Sequence, residues 1–151
     1  MKRFLLILTS LLLILACTFS MFACDLMEEE TTAETLAEGE EIEASGLWTD
    51  ATYRSNVTIG EGAKTVSFTV EAEGKMITVT LKTDKATLGE AMYEQELIND
   101  PSFFDTLNGM LASWSADQAY WAFYEGDTMM PHGVNNENIA GGESYRFVYT
   151  K

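Results

Sequence analysis

KTVSFTVEAEGKMITVTLKT, residues 64–83, alternates twice about one glycine. Val66, Phe68 and Val70 alternate with Thr65, Ser67 and Thr69, and Ile77, Val79 and Leu81 alternate with Thr78, Thr80 and Lys82. Successive side chains of a strand point to opposite faces, so a period of two marks a strand with one buried face. Two such strands either side of Glu73-Gly74 predict a β-hairpin. The following stretch, TLGEAMYEQELI (87–98), changes period. Thr87 with Glu90 three residues on is a capping box, and Leu88, Ala91 and Met92 form a helical stripe. That helix is expected to stop near Asn99-Asp100-Pro101. Two strands followed by a helix open an α+β fold.

Downstream the signals shorten. Asn108-Gly109 is a two-residue turn signal, with Thr106-Leu107 and Met110-Leu111 as its arms. Tyr120 to Tyr124 reads as a strand that turns at Glu125-Gly126 into Thr128-Met129-Met130. Loops are expected at Pro131-His132-Gly133 and at Gly141-Gly142, and YRFVYT (145–150) alternates again as a closing strand. Alternation puts Trp121 and Phe123 on one face, as expected core. It puts Tyr120 and Tyr124 on the other, where a phenol can stay wet at one end. Trp114, between Ser113 and Ser115, is the tryptophan expected to be exposed.

The N-terminus has a different character. Lys2 and Arg3 precede an uncharged apolar run from Phe4 to Ala23. A basic start, an apolar stretch and a small residue before a cysteine describe an export signal. The run is also just long enough for an uncleaved anchor. Cys24 follows Met-Phe-Ala and Cys17 follows Ile-Leu-Ala, and both settings resemble the bacterial lipobox. The chain turns acidic at once after Cys24 but stays apolar after Cys17, so Cys24 is the expected lipid anchor, with Cys17 the alternative. Cleavage before Cys24 leaves one acylated cysteine, and with it neither an internal disulfide nor a catalytic thiol. Residues 25–45, DLMEEETTAETLAEGEEIEAS, hold nine acids and no base. Such a segment repels itself and lacks apolar surface to pack. The expected organisation is a lipoprotein signal peptide at 1–23, an acidic disordered tether at 24–45, a lead-in at 46–63 and one domain at 64–151.

The chain has 24 acids against 9 bases, a net charge of −15. Nucleic-acid binding needs a basic footprint and is not expected. The acids lack the spacing of a calcium loop. There is no Gly-x-Ser-x-Gly nucleophile turn, no zinc ligand set and no phosphate loop. His132, the single histidine, lies in MMPHGV beside Met129 and Met130. An imidazole with two thioethers is a soft set of the kind that suits copper(I), but adjacent strand residues point apart. No metal and no catalytic residue are therefore assigned, although 24 carboxylates offer many pairs of the kind that cleave glycosides.

Taken in order, the hairpin, Thr87-Leu88 with Ala91-Met92, Trp121 with Tyr124, His132-Gly133-Val134 and the closing GGESYRFVYT resemble the transcobalamin-like C-terminal domain, also called domain of unknown function 4430. The family's usual marks are a Thr-Leu-x-x-Ala-Leu helix, a Trp-x-x-Tyr strand before an Asn-Gly turn, and Asp-Gly-Asp before the last strand. Here Glu125-Gly126 replaces Asn-Gly, and Gly142-Glu143 stands where Gly-Asp is usual. The resemblance covers roughly residues 64–150, and its motifs are mainly structural. It implies a small β-grasp-like domain, with a mixed sheet of about four to six strands and one main helix. It also implies a setting among lipid-anchored or surface proteins of Gram-positive bacteria. In cobalamin carriers the domain closes one side of a corrinoid against a larger helical domain that this chain lacks.

The expected function is a non-catalytic binding or adhesion module on a lipoprotein, exported to the outer face of the bacterial cytoplasmic membrane. The alternative is capture of a corrinoid (cobalamin) or similar small ligand there. The partners expected are the membrane, through the lipid, and an unidentified protein, glycan or small molecule. Trp114, Tyr120, Tyr124 and His132 are the candidate ligand-binding residues.

Overall fold

The computed structural model describes residues 34–37 and 39–151, so the signal segment with Cys17 and Cys24 and the first part of the tether lie outside the described residues. Along the chain run β1 (Glu34–Thr35), β2 (Val57–Gly60), β3 (Lys64–Ala72), β4 (Lys75–Thr83), α1 (Leu88–Glu94), β5 (Thr106–Leu107), β6 (Met110–Leu111), α2 (Trp114–Asp117), β7 (Tyr120–Glu125), β8 (Thr128–Met129) and β9 (Ser144–Thr150). The expected hairpin is β3–β4, in register from Lys64 opposite Thr83 to Ala72 opposite Lys75. Glu73 and Gly74 take the turn at φ of 52° and 72°.

The main sheet has seven strands in six positions, because β1 and β2 share the outer side of β4. The order continues β4-β3-β9-β7-β8, with β3 and β9 parallel and the β4–β3, β9–β7 and β7–β8 pairs antiparallel. A central parallel pair flanked by antiparallel strands, with one main helix on one face, is the α+β, β-grasp-like arrangement.

Alternation decides which side chains are covered. Val66, Phe68, Val70, Ile77, Val79, Leu81, Tyr145 and Phe147 are buried under α1 and the irregular segments beside it. Trp121 and Phe123 belong to this inner face, as expected of core residues. A row of aromatic rings crosses it. Phe68 meets Phe147 edge-on at 5.5 Å, and Phe147 stacks on Phe123 at 5.0 Å. The outer face is polar and half-exposed, with Ser67, Thr69, Glu71, Thr78, Thr80 and Arg146 across three strands.

Thr87 caps α1 by accepting from the Glu90 amide at 3.3 Å. The helix stops sooner than its sequence suggests, at Glu94. Glu96 adopts a left-handed conformation, and Leu97 and Ile98 turn inward to be buried in the core. The Asn108-Gly109 turn is present, and Asn108 is wholly buried. Its side chain accepts from the Tyr53 amide at 2.9 Å and donates to the Tyr53 carbonyl at 2.8 Å.

Residues 34–63, expected as tether end and lead-in outside the domain, join the same sheet and core. Ile42 and Trp48 are buried, and Trp48 Nε1 donates to the Ala72 carbonyl at 3.0 Å. β1 and β2 bond to β4 in parallel. The physical reason is the outer side of β4, whose backbone groups need partners. Among the described residues, no helix is long and apolar enough to cross a membrane.

Candidate functional site

Among the described residues, β7 is covered on its outer side only where the two-residue β8 pairs with Tyr124 and Glu125. The Met130 amide extends this cover by one bond, donating to the Phe123 carbonyl at 2.8 Å. Next to the uncovered part lies a cavity of about 220 Å³. Phe103, Phe104, Tyr120, Trp121, Met130 and His132 line much of it. Its walls come from three places: the edge and inner face of β7, the loop after α1, and the loop after β8.

Each wall is held for a local reason. Phe104 packs edge-on against Phe147 at 6.0 Å, which seats the first loop on the core. The Asp100 carboxylate caps that loop by accepting from the Ser102 amide at 2.7 Å. Trp121 packs edge-on against Tyr149 at 5.6 Å. Only 8% of its surface is exposed, and its Nε1 has no hydrogen-bond partner among the described residues. A buried donor without an acceptor costs free energy that burial of the ring must offset.

The loop after β8 is fixed by a polar relay. His132 Nε2 and Glu137 Oε2 are 2.8 Å apart, and the Tyr145 hydroxyl donates to Glu137 Oε1 at 2.9 Å. One carboxylate thus ties the cavity wall to the core. Burial first, and then the hydrogen bond to Glu137, push the Tyr145 phenol well above its ordinary range. A second carboxylate, Glu143, accepts from the Ala140 and Gly141 amides at 2.7 and 2.8 Å, and its acidity is raised chiefly by the Ala140 bond.

The four candidate residues divide. Tyr120 and His132 line the cavity. Trp114, 66% exposed on α2, packs edge-on against Tyr120 at 6.2 Å and extends the site outward. Tyr124 stands apart on the outer face, where the Arg146 guanidinium lies 4.8 Å from its ring centre and 3.7 Å from Glu71. Phe103 and Phe104 escaped the sequence reading, since they sit in an aperiodic stretch. Their adjacency after Asp100-Pro101 was the available signal. Met129, exposed and paired opposite Tyr124, and Met130, packed against the core just after β8, both border the cavity with His132. Among the described residues, no three His, Cys, Asp or Glu side chains converge to hold a metal.

Two other depressions, of about 490 and 450 Å³, are larger. One is lined by Glu94, Glu96, Asn99 and Thr106 among others, and the other by small and polar residues around Gly141 and Gly142. Neither concentrates aromatic rings as the β7 cavity does.

No family model matches the chain, and no curated protein matches it. Among solved structures, a protein from Ruminococcus gnavus proposed to bind metal superposes with a TM-score of 0.54 at 18% identity, covering 59% of this chain and 98% of its own. Haptocorrin in complex with Cbi superposes with a TM-score of 0.47 at 14% identity, covering 62% of this chain. The match spans 26% of haptocorrin's own length. At 18% identity the likeness to the Ruminococcus gnavus protein is one of fold alone.

Proposed function

We propose that the chain is an exported, lipid-anchored protein whose folded unit is a non-catalytic binding module, with the β7 cavity as its ligand site. The observation that carries this is the cavity itself, an aromatic-walled space at an uncovered sheet edge, rimmed by exposed apolar side chains. Phe103 is 83% exposed, Met129 48% and Tyr120 39%, and all three border the cavity. Large apolar side chains gathered in the open around a concave site mark binding surfaces. The lipid anchor at Cys24 rests on the sequence alone.

Volume narrows the ligand. A cavity of about 150 Å³ lined by apolar residues takes benzene. The space here, about 220 Å³, suits an indole- or benzyl-sized group. It is smaller than the roughly 300–1,000 Å³ of sites that enclose whole ligands. A corrinoid would be held by one edge. One feature favours that second reading: the His132 imidazole borders the cavity while its Nε2 is engaged by Glu137, as an oriented axial ligand would be.

Calorimetric titration of the intact chain in detergent micelles, with indole and separately with cobalamin, tests both. Saturable indole binding that weakens in Phe103→Ala is expected. Tight cobalamin binding with a visible-spectrum change lost in His132→Ala would favour the corrinoid instead. Silence with both probes would overturn the cavity as a site.

A further inference from the structure

Backbone geometry at the cavity specifies more than an apolar hole. In an antiparallel pair, alternate residues turn their N–H and C=O groups to opposite neighbours. The Phe123 carbonyl points away from β9, because it accepts from Met130. Trp121, two residues earlier, therefore turns its N–H and C=O the same way. β8 pairs only with Tyr124 and Glu125, so among the described residues no strand of the sheet covers that side of Trp121. The aromatic rows of the inner face also stop there: Tyr149 packs on Trp121, and beyond Trp121 the cavity begins. A strand laid along this edge would bond to Trp121 and place an inward-facing side chain in the cavity. Backbone bonds at a free edge with a pocket for alternate side chains constitute recognition by strand addition.

Charge selects the strand. Asp117 precedes the open edge, and Glu125 and Asp127 follow it at the β7–β8 turn. All three are exposed, none is in an ion pair among the described residues, and they outnumber the one exposed base at the open end, Lys151, 5.8 Å from the Tyr149 ring. A second copy of this chain, with its own net charge of −15, would be repelled. Resting on the cavity as the binding site, we propose that the open edge of β7 captures an extended basic peptide segment of a partner protein as an added strand, with one aromatic side chain seated against Trp121 and Phe104.

The test is selection of short linear peptides from a random displayed library on the intact chain in detergent micelles. The selected peptide is then scanned with single backbone N-methyl groups. Enriched sequences should combine Lys or Arg with one aromatic residue. N-methylation should weaken binding roughly tenfold at the one residue whose N–H meets the Trp121 carbonyl and much less at its neighbours, as loss of a single backbone hydrogen bond requires. Bound peptide should slow amide exchange at Trp121 by about tenfold or more while leaving Ala122, whose backbone faces β9, unchanged. Phe103→Ala, an exposed change that leaves folding intact, should weaken the aromatic contact. Failure to enrich any peptide, enrichment of acidic or aromatic-free sequences, or indifference to N-methylation would overturn strand addition. So would protection of Trp121 that rises with protein concentration alone, which would mean self-pairing. If indole still binds in those cases, the cavity stands as a small-ligand site and only the peptide is lost. If indole fails too, both readings fall.

Discussion

Along β4 the outward backbone is occupied from end to end. β1 pairs at Lys75 and Met76, the Asn56 side chain accepts from the Thr78 amide at 2.7 Å, and β2 pairs from Val79 to Lys82. Along β7, cover stops at Phe123. The two tryptophans near these edges differ in the same way. Trp48, on the β4 side, is fully buried and its Nε1 is bonded to Ala72. Trp121, on the β7 side, is nearly as buried, yet its Nε1 has no partner among the described residues. An exposed sheet edge is an aggregation hazard that proteins usually cover or charge. Residues 34–60 cover one edge of this sheet, while the other keeps its polar groups open beside an aromatic cavity. Under the proposed function, that difference separates a structural edge from a binding edge.

The largest expected effect lies on the closed side. Trp48→Ala should cost about 3–5 kcal/mol, the usual range for deleting a buried aromatic side chain, read from the urea midpoint. A paired substitution sharpens the contrast. Trp48→Phe and Trp121→Phe remove the same atoms, but only the first strips an acceptor of its donor. Trp48→Phe should therefore destabilise by about 1–3 kcal/mol more than Trp121→Phe. Equal costs would mean that the indole N–H of Trp121 is satisfied after all.

A pH series probes the relay behind the open edge. The folded state holds the Tyr145 proton more tightly than the unfolded chain does, where the phenol titrates near 10.0. Its contribution is complete below that pH and should decline as pH rises through and beyond it. Tyr145→Phe should flatten that alkaline decline in denaturation curves. The smallest effect on stability is expected for Phe103→Ala. An exposed side chain should change the midpoint by no more than about 0.5 kcal/mol, while indole binding falls.

Much of the sheet was legible from periodicity. The hairpin, the Thr87–Glu90 cap, the Asn108-Gly109 turn and the closing strand each carry a local signal that tertiary packing left in place. The covered edge was not legible. Ile42 and Trp48 are single apolar residues in stretches without a period, and an acidic run next to them suggested only a solvated tether. Trp48 is held by an acceptor 24 residues onward, the Ala72 carbonyl at the end of β3, which nothing local to Trp48 announces. The site was half legible. Tyr120 and His132 drew notice as a phenol and a lone imidazole. The Phe103-Phe104 wall and the Glu137 partner of His132 depend on loop paths that no propensity encodes. Tyr124 shows the limit of alternation: it correctly left the core, but for the outer face rather than the cavity.

The most direct test of the open edge as the binding edge uses the three tryptophan indole N–H resonances as internal reporters. Two-dimensional ¹⁵N–¹H spectra of the intact chain would be recorded while indole is added. Saturable shifts of Trp121, smaller shifts of Trp114 and a stationary Trp48 are expected. Movement of Trp48 in step with added indole, or no movement of Trp121 at saturation, would contradict the open edge as the binding edge.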